Sequence, residues 1–268
     1  MKILALVLLV LTMSAVEAAE LQGRMTQGGL IRGKTAPGAS VSLNEKPLRV
    51  SKDGDFVFGF GRDAPAKAVL RERLPDGTVS ERTLSVAPRK YRVQRINGLP
   101  SKMVTPPADV LARIKADSAL VAETRKRDSE QVFFQGKWIR PADGPVTGVY
   151  GSQRILNGKP RQPHYGIDFA GPVGAPVVAP AAGIVVLAQD DMYYTGGTLI
   201  LDHGHGLSSA FLHMSKVDVK TGDSVAQGQR IGAIGATGRA TGPHLDWRIN
   251  WFQERIDPAF LLSPETVN

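Results

Sequence analysis

The sequence contains no cysteine and few aromatic residues. Among its 268 residues there is no Cys, and Phe, Trp and Tyr together contribute 6%. Without cysteine there can be no disulfide framework, so packing, with or without a metal, must stabilise the chain. A chain of this length is long enough for one or two domains with a proper core, and we expect two.

Long hydrophobic segments are also missing. The apolar run at residues 3–11 is shorter than the ~20 residues that a transmembrane helix needs. This run follows Lys2 and precedes small residues that end at Ala18, which is the pattern of a secretory signal peptide. We therefore expect cleavage after Ala18, no transmembrane segment in the mature chain, and an exported, periplasmic protein.

Acidic residues are outnumbered by basic ones. The formal net charge is +8, which favours anionic surfaces by long-range attraction. No basic stretch with interleaved aromatic residues resembles a nucleic-acid motif, so nucleic acid is not expected as a partner. For an exported protein, the cell wall or anionic lipid is the expected surface.

Glycine and proline are abundant, and their positions favour a mainly β protein. The chain has 29 Gly and 18 Pro, which favour many short strands over long helices. Turn pairs such as Asp53-Gly54 and Asp76-Gly77 separate short apolar runs in residues 19–90. We expect a small β-sandwich there, and its pattern resembles the immunoglobulin-like modules of extracellular enzymes.

A basic connector and a linker helix are expected at residues 91–135. The first part, rich in proline and mixed charges, indicates an extended connector or an edge strand. From residue 106 to about residue 130 the pattern is helical, with Val110, Ile114 and Val121 on one face. Residues 125–127 are basic and are predicted to lie in the last turns, where they interact favourably with the helix dipole. We expect this helix to pack on its neighbour.

All five histidines lie in the second expected domain, residues 136–268. The first, His164, stands four residues before Asp168, but Pro163 and Gly166 argue against a helix. On a straight strand the two side chains would be ~13 Å apart, too far to share one metal. If they act together, the chain must bend at Gly166.

Two other histidines are predicted to lie on strands. In "SSAFLHMSKV", alternation predicts that His213 faces the same way as Phe211 and opposite to Leu212. In "GPHLDW", His244 and Asp246 share one face of a strand while the apolar residues between and after them turn to the other. Such a strand could hold two polar groups over one site.

These motifs together resemble those of the lysostaphin-type, or LytM-like, zinc metallopeptidases, which cut peptidoglycan cross-bridges and stem peptides. The resemblance rests on the order His-x-x-x-Asp, Phe-x-His-Met and Gly-Pro-His-Leu-x-Trp, and it covers roughly residues 146–262. Fragments such as "VYGSQR" and "DPAFLL" agree with it in order and spacing. It implies that residues 136–268 form an antiparallel β-sheet domain of this type.

The resemblance also implies the roles of particular residues. His164 and Asp168 would be ligands of one zinc ion, and His213 and His244 the catalytic histidines. The family's third ligand is a histidine, but this chain has Asp246 at that position. Zinc accepts carboxylate oxygen, although this side chain is shorter, and two carboxylates would cancel the charge of the ion and favour harder metals.

Other polar residues near these motifs have weaker signals. Arg154, Tyr193 and Tyr194 are candidates for contacts with the substrate. His203 and His205 flank a glycine-rich turn, and we expect them to have structural or solvent-exposed roles.

The sequence has features of three classes of function. The first is an exported zinc metalloendopeptidase that hydrolyses peptide bonds in peptidoglycan cross-links or stem peptides. The alternative is an inactive LytM-like domain that binds peptidoglycan or activates a partner, either a cell-wall hydrolase or a divisome protein. The segment "VDVKTGDSVAQGQRIG" resembles a lipoyl or biotinyl carrier, but such a carrier needs a lysine at the hairpin tip, whereas Lys220 precedes the turn.

Overall fold

The computed structural model describes residues 18–99 and 101–263. The expected signal peptide, except for Ala18, lies outside these ranges. The described part is mainly β, as the sequence predicted. Within it, no helix combines the length and the apolar character needed to cross a membrane.

Seven strands form the N-terminal part. They are β1 (Glu20–Gly23), β2 (Leu30–Lys34), β3 (Ser40–Leu43), β4 (Lys46–Leu48), β5 (Asp55–Gly59), β6 (Lys67–Arg73) and β7 (Val79–Ser85). One sheet has the order β1-β2-β5, the other β4-β3-β6-β7, and Ile31, Phe56, Phe58 and Leu70 pack between them. The predicted small β-sandwich is therefore confirmed. Its pairings match the A-B-E and C-F-G pairings of an immunoglobulin sandwich, with the fourth strand moved beside the third.

The connector contains one strand and two helices. β8 (Val93–Ile96) forms the edge of a small sheet, and α1 (Ser101–Val104) and α2 (Leu111–Thr124) follow it. The predicted edge strand is thus confirmed. The predicted helix at 106–130 is too long, because α2 ends at Thr124 and Arg125 is its C-cap. The basic residues 125–127 therefore follow the last helical turn, and Arg127 pairs with Asp202 instead, at 2.9 Å.

The C-terminal part consists of short and long strands. They are β9 (Val146–Gly148), β10 (Gln153–Leu156), β11 (Lys159–Pro160), β12 (Ile167–Ala170), β13 (Pro176–Val178), β14 (Gly183–Met192), β15 (Gly196–Gly204), β16 (Leu207–Met214), β17 (Lys216–Val217), β18 (Ser224–Val225), β19 (Arg230–Ala233), β20 (His244–Trp251) and β21 (Glu254–Ile256). The main sheet has eight strands in the order β18-β14-β15-β16-β20-β12-β9, with β21 paired to β20. A three-stranded sheet, β13-β19-β17, packs beside it.

The main sheet is covered on both faces. One face contributes Phe169, Leu199, Phe211, Leu245 and Trp247 to the larger core. The opposite face carries a smaller cluster, including Leu187, Ile200 and Leu212, against which Val121 of α2 packs. This contact confirms that the linker helix packs on its neighbour, and it places α2 beside strands β14 and β16.

The N-terminal sandwich is joined to the C-terminal part by direct contacts. Leu30 and Val57 belong to the larger core of the C-terminal part. Arg89 forms a salt bridge of 2.8 Å with the buried Asp257. The expected domain boundaries near residues 90 and 136 remain predictions.

Candidate metal centre

Three potential metal ligands converge between two neighbouring strands of the main sheet. A nitrogen of His164 and carboxylate oxygens of Asp168 and Asp246 all lie within 4.8 Å of one another, and all three residues are buried. Strands β12 and β20 are antiparallel and place Asp168 directly opposite Asp246. Their register, together with the loop before β12, therefore creates the cluster.

The loop before β12 brings the side chain of His164 towards that of Asp168, four residues later in the chain. The chain bends at Gly166, as predicted, and Nε2 of His164 lies 3.0 Å from Oδ1 of Asp168. A Cβ atom at Gly166 would lie 2.2 Å from Oδ1 of Asp246, and one at Gly148 would lie 2.0 Å from Oδ2 of Asp168. The space for both carboxylates thus depends on two residues that have no side chain.

The donor set has the properties of a metal site. Both ring nitrogens of His164 and Oδ1 of Asp168 are buried without a hydrogen-bond partner, since the 3.0 Å contact between Nε2 and Oδ1 lacks the geometry of a hydrogen bond. Buried polar atoms are normally satisfied, so three unsatisfied ones in one cluster require an explanation. One imidazole and two carboxylates with an open position fit the three-ligand arrangement of catalytic zinc.

Arg248 holds the carboxylate of Asp246. Its Nη2 donates to Oδ2 at 2.6 Å and its Nε donates to Oδ1 at 3.0 Å. Burial opposes ionisation of Asp246, but the positive charge of Arg248, and next that of His164, holds the pKa of this carboxyl well below its usual range. A carboxylate has lone pairs for both partners, and ligating carboxylates are commonly hydrogen-bonded in this way.

A second arginine approaches the other carboxylate. Nη2 of Arg154 lies 3.4 Å from Oδ2 of Asp168. The two guanidinium groups balance the two carboxylates of the cluster. Arg248 therefore supplies a positive charge beside Asp246 that the sequence prediction did not include, and the effect of the second carboxylate on the charge of the ion stays a prediction.

His213 reaches the site through a β-bulge. Leu199 pairs with Phe211 whereas Gly197 pairs with Met214, so β16 contains one more residue than β15 at this point. His213 adopts a left-handed backbone conformation with φ of 65°. The prediction that His213 shares a face with Phe211 is thus wrong: Phe211 lies in the larger core, and His213 and Leu212 line the same cavity. Bulges commonly re-aim side chains in this way beside active sites.

His213 and His244 form a pair beside the cluster. Their ring centroids are 4.8 Å apart, and Nε2 of His244 is 4.0 Å from Oδ1 of Asp168. Nδ1 of His213 donates to the carbonyl oxygen of Thr237 at 2.8 Å, and Nδ1 of His244 donates to that of Gly242 at 2.8 Å. In a neutral ring this leaves the lone pair on each Nε2. Burial lowers the pKa of His213 to about 4, which keeps that ring neutral.

The strand prediction for His244 and Asp246 is confirmed. Leu245 and Trp247 are fully buried in the larger core, on the opposite face of β20. A groove of about 310 Å³ opens over the site and includes Asp168, His213 and His244 in its lining.

The three residues predicted to contact a substrate have different positions. Arg154 lines this groove and the neighbouring cavity. Tyr194 lines the neighbouring cavity, where Arg239 stacks on its ring at 4.3 Å. Tyr193 lines neither of them, and its backbone N–H donates to Asp117.

His203 and His205 lie away from the cluster. Nδ1 of His203 donates to the carbonyl oxygen of Ala182, while its Nε2 accepts from the hydroxyl of Ser209, both at 2.7 Å. His205 packs against the ring of Phe134 at 5.0 Å. These contacts support the structural roles expected for both residues.

The sequence did not single out four arginines that line the cavity beside the site, which are Arg125, Arg239, Arg248 and Arg255. Arg248 lies two residues after Asp246 on β20, so the same alternation that joined His244 and Asp246 could have found it. Arg125 carried no such signal, because it follows α2 and meets the site only through the packing of that helix.

Comparisons with known proteins assign a family to the region that contains this site. Residues 162–258 match the model of peptidase family M23. A structure from Pseudomonas aeruginosa, assigned to peptidase M23, is 30% identical, has a TM-score of 0.71, and covers 91% of this chain and 96% of its own.

Two curated proteins are similar over shorter segments. The peptidoglycan DD-endopeptidase ShyA of Vibrio cholerae is 45% identical over 87 residues, which are 32% of this chain and 20% of that protein. The DD-carboxypeptidase/endopeptidase Mpg of Neisseria meningitidis is 34% identical over 101 residues, or 38% of this chain and 23% of that protein. The chain spans about a fifth of the length of these curated relatives.

Proposed function

The chain belongs to peptidase family M23, and from this membership we propose that it is an exported zinc metalloendopeptidase that hydrolyses peptide bonds in peptidoglycan. The observation that carries the proposal is the convergence of two sets of side chains. Three buried ligands lie within 4.8 Å of one another, and a histidine pair with ring centroids 4.8 Å apart stands beside them. Two of the relatives named above are described as acting on peptidoglycan or as endopeptidases, which supports the substrate class.

His164, Asp168 and Asp246 are the residues that would hold the ion. Zinc would supply a Lewis acid for the scissile carbonyl and for the attacking water. The chain itself supplies the orientation of the ligands: β12 and β20 fix the two carboxylates, Arg154 donates to Asp168, and Arg248 donates to Asp246. Hydrogen bonds of this kind to metal ligands typically raise the affinity of a site for its metal.

His213 and His244 are the proposed catalytic residues. Both direct Nδ1 at backbone carbonyls, so Nε2 of either ring can take up a proton that water loses. That proton then passes to the nitrogen of the leaving amine when the peptide bond breaks. The other imidazole, when protonated, donates from Nε2 to the developing oxyanion. Arg154 and Tyr194, which line the neighbouring cavity, and Tyr193 are proposed contacts of the substrate.

The substrate sets the location of the enzyme. Peptidoglycan lies outside the cytoplasm, and the apolar run at residues 3–11 fits export. We expect a periplasmic mature protein, and N-terminal sequencing of that form tests this. Ala19 as its first residue would support cleavage after Ala18, whereas an intact Met1 would contradict it.

A second function is favoured by the arginine pairs. Asp168 and Asp246 already have guanidinium partners, so the charges of the cluster are balanced without a metal. A chain with this property could bind peptidoglycan, or activate a partner hydrolase or divisome protein, without cleaving a bond. Metal content and activity separate the two functions.

The test combines metal analysis with the release of soluble muropeptides from purified sacculi. The mature chain should carry about one zinc ion and release muropeptides, and Asp246→Ala should lose both. Asp190→Ala, which removes an exposed carboxylate of the same sheet, is the matched control and should retain both. If gently prepared wild type has no metal and releases nothing, the enzyme proposal fails, and retained binding to sacculi then supports the second function.

A further inference from the structure

Five arginines line a cavity of about 400 Å³ next to the groove. This cavity, called the arginine cavity below, is lined by Arg125, Arg154, Arg239, Arg248 and Arg255. It lies between α2, which forms one wall, and the main sheet. His213, Arg154 and Arg239 line both the groove and the arginine cavity, so the two spaces adjoin at a proposed catalytic histidine.

The positive charge of the arginine cavity is only partly matched. Arg154 and Arg248 pair with the two carboxylates of the metal centre. Asp117 is the single acidic residue in the described lining, and its Oδ2 accepts a hydrogen bond from the backbone of Tyr193 at 2.7 Å. No salt bridge between described residues includes Arg125 or Arg255, although Arg255 donates to Oδ1 of Asn250.

This arrangement disfavours the charged form of Arg125. Its Nε is buried without a hydrogen-bond partner. Burial, and then the positive charges of Arg255 and Arg248, lower the pKa of Arg125 to about 8. Burial, and then Arg248, lower the pKa of Arg255 to about 10. Guanidinium groups normally stay charged in proteins, so these directions reflect the burial of positive charge and, after it, mutual repulsion, and a bound anion would offset both.

We propose that the arginine cavity binds carboxylate groups of an anionic peptide and forms a subsite for an acidic peptidoglycan strand beside the site of cleavage. This inference rests on the proposed function. Arginine forks recognise carboxylates through paired hydrogen bonds, and the volume lies within the usual range of ligand pockets. Arg125 and Arg255 are the donors that no carboxylate of the described chain engages by a salt bridge.

The test measures binding of two labelled peptides to the mature chain, with zinc and without it. One probe is Ala-Glu-Ala-Glu with free carboxylates, and the other is Ala-Gln-Ala-Gln with an amidated C-terminus. Wild type should prefer the first by at least about tenfold at low salt, because hydrogen bonds between charged groups are the stronger kind. Arg125→Gln and, independently, Arg255→Gln should each remove most of this preference. Arg71→Gln, which removes the same charge from an exposed position of β6, should retain it.

The outcomes separate this inference from the enzyme proposal. If Arg71→Gln and Arg125→Gln weaken the preference for the acidic peptide equally, the preference arises from long-range attraction alone, and the subsite is overturned. Equal binding of the two peptides by a protein that digests sacculi would also overturn it, while leaving the enzyme proposal intact. If Arg125→Gln loses the preference and the wild type digests no sacculi, the subsite would be supported and the enzyme proposal refuted.

Discussion

Nη2 of Arg248 lies 2.6 Å from Oδ2 of Asp246, and the two residues stand two apart on one face of β20. Asp246 occupies the position where the family resemblance implies a histidine. In this chain its negative charge is offset by the positive charge of Arg248 on the same strand.

Removal of Arg248 should destabilise the protein in a zinc-dependent way. Arg248→Gln leaves Asp246, which is 1% exposed, as a buried carboxylate without its partner. The free energy of unfolding without metal should fall by about 3 kcal/mol, since breaking a buried ion pair is costly. Added zinc should restore more stability in the variant than in wild type, because the ion takes over the unpaired charge. Urea unfolding with and without zinc measures both effects, and a variant as stable as wild type without metal would contradict the pairing.

Gly166 should be required for the position of Asp246. In Gly166→Ala the new Cβ would lie 2.2 Å from Oδ1 of Asp246, so the carboxylate must move. We expect loss of bound zinc together with a destabilisation of about 1–3 kcal/mol from overpacking. Gly136→Ala is the control, because no atom lies within 4 Å of its Cβ and its φ is −65°. Unchanged zinc content in Gly166→Ala would show that the carboxylate is not a ligand.

His213 should be needed for catalysis but not for metal binding. His213→Ala removes an imidazole whose Nδ1 is held by Thr237, and it should lower muropeptide release about 100-fold or more. The zinc content should not change, since His213 lies outside the ligand cluster. Asn tolerates the left-handed backbone conformation of this position, so His213→Asn removes the imidazole while keeping the bulge. Full activity of either variant would remove His213 from the mechanism.

Stability should fall as the pH decreases from neutral towards 4. Burial lowers the pKa of His203 to about 4, and its neutral ring is held by Ala182 and Ser209. The unfolded chain takes up this proton near pH 6.5, before the folded one, so the contribution is complete above pH 6.5 and decreases as the pH falls. At pH 5 the loss that His203 by itself contributes is about 2 kcal/mol.

Urea unfolding at pH 7.5 and 5 tests this dependence. His203→Gln should show a smaller loss between the two values, whatever its absolute stability. The NMR titration of His203 in wild type is an independent measurement. A folded-state pKa near 6.5 would refute the explanation.

Much of the fold followed from local patterns. Turn pairs separate the strands of the N-terminal sandwich, and the alternation "HLDW" placed His244 and Asp246 on one face of β20. The order of the histidine and aspartate motifs was sufficient to indicate the family. Turns and alternation depend on residues within one or two positions of one another, and the order of motifs is a property of the chain itself, so all of these features can be read along the sequence.

The bulge at His213 illustrates the opposite case. Alternation predicted that His213 would share a face with Phe211, but one extra residue in β16 relative to β15 reverses its direction. Whether a strand contains a bulge depends on the pairing with its partner strand, and the residues of "SSAFLHM" do not specify that pairing.

The sequence by itself determined the strands, the turns and the set of chemical groups available to the site, because backbone alternation and residue type are local properties. Only the tertiary structure decided that Asp168 lies opposite Asp246, that His213 turns towards His244, and that α2 brings Arg125 to the arginine cavity. These are distances between groups on separate strands, around a bulge or across a packed helix. They are set by register and packing, which the order of residues along one segment does not specify.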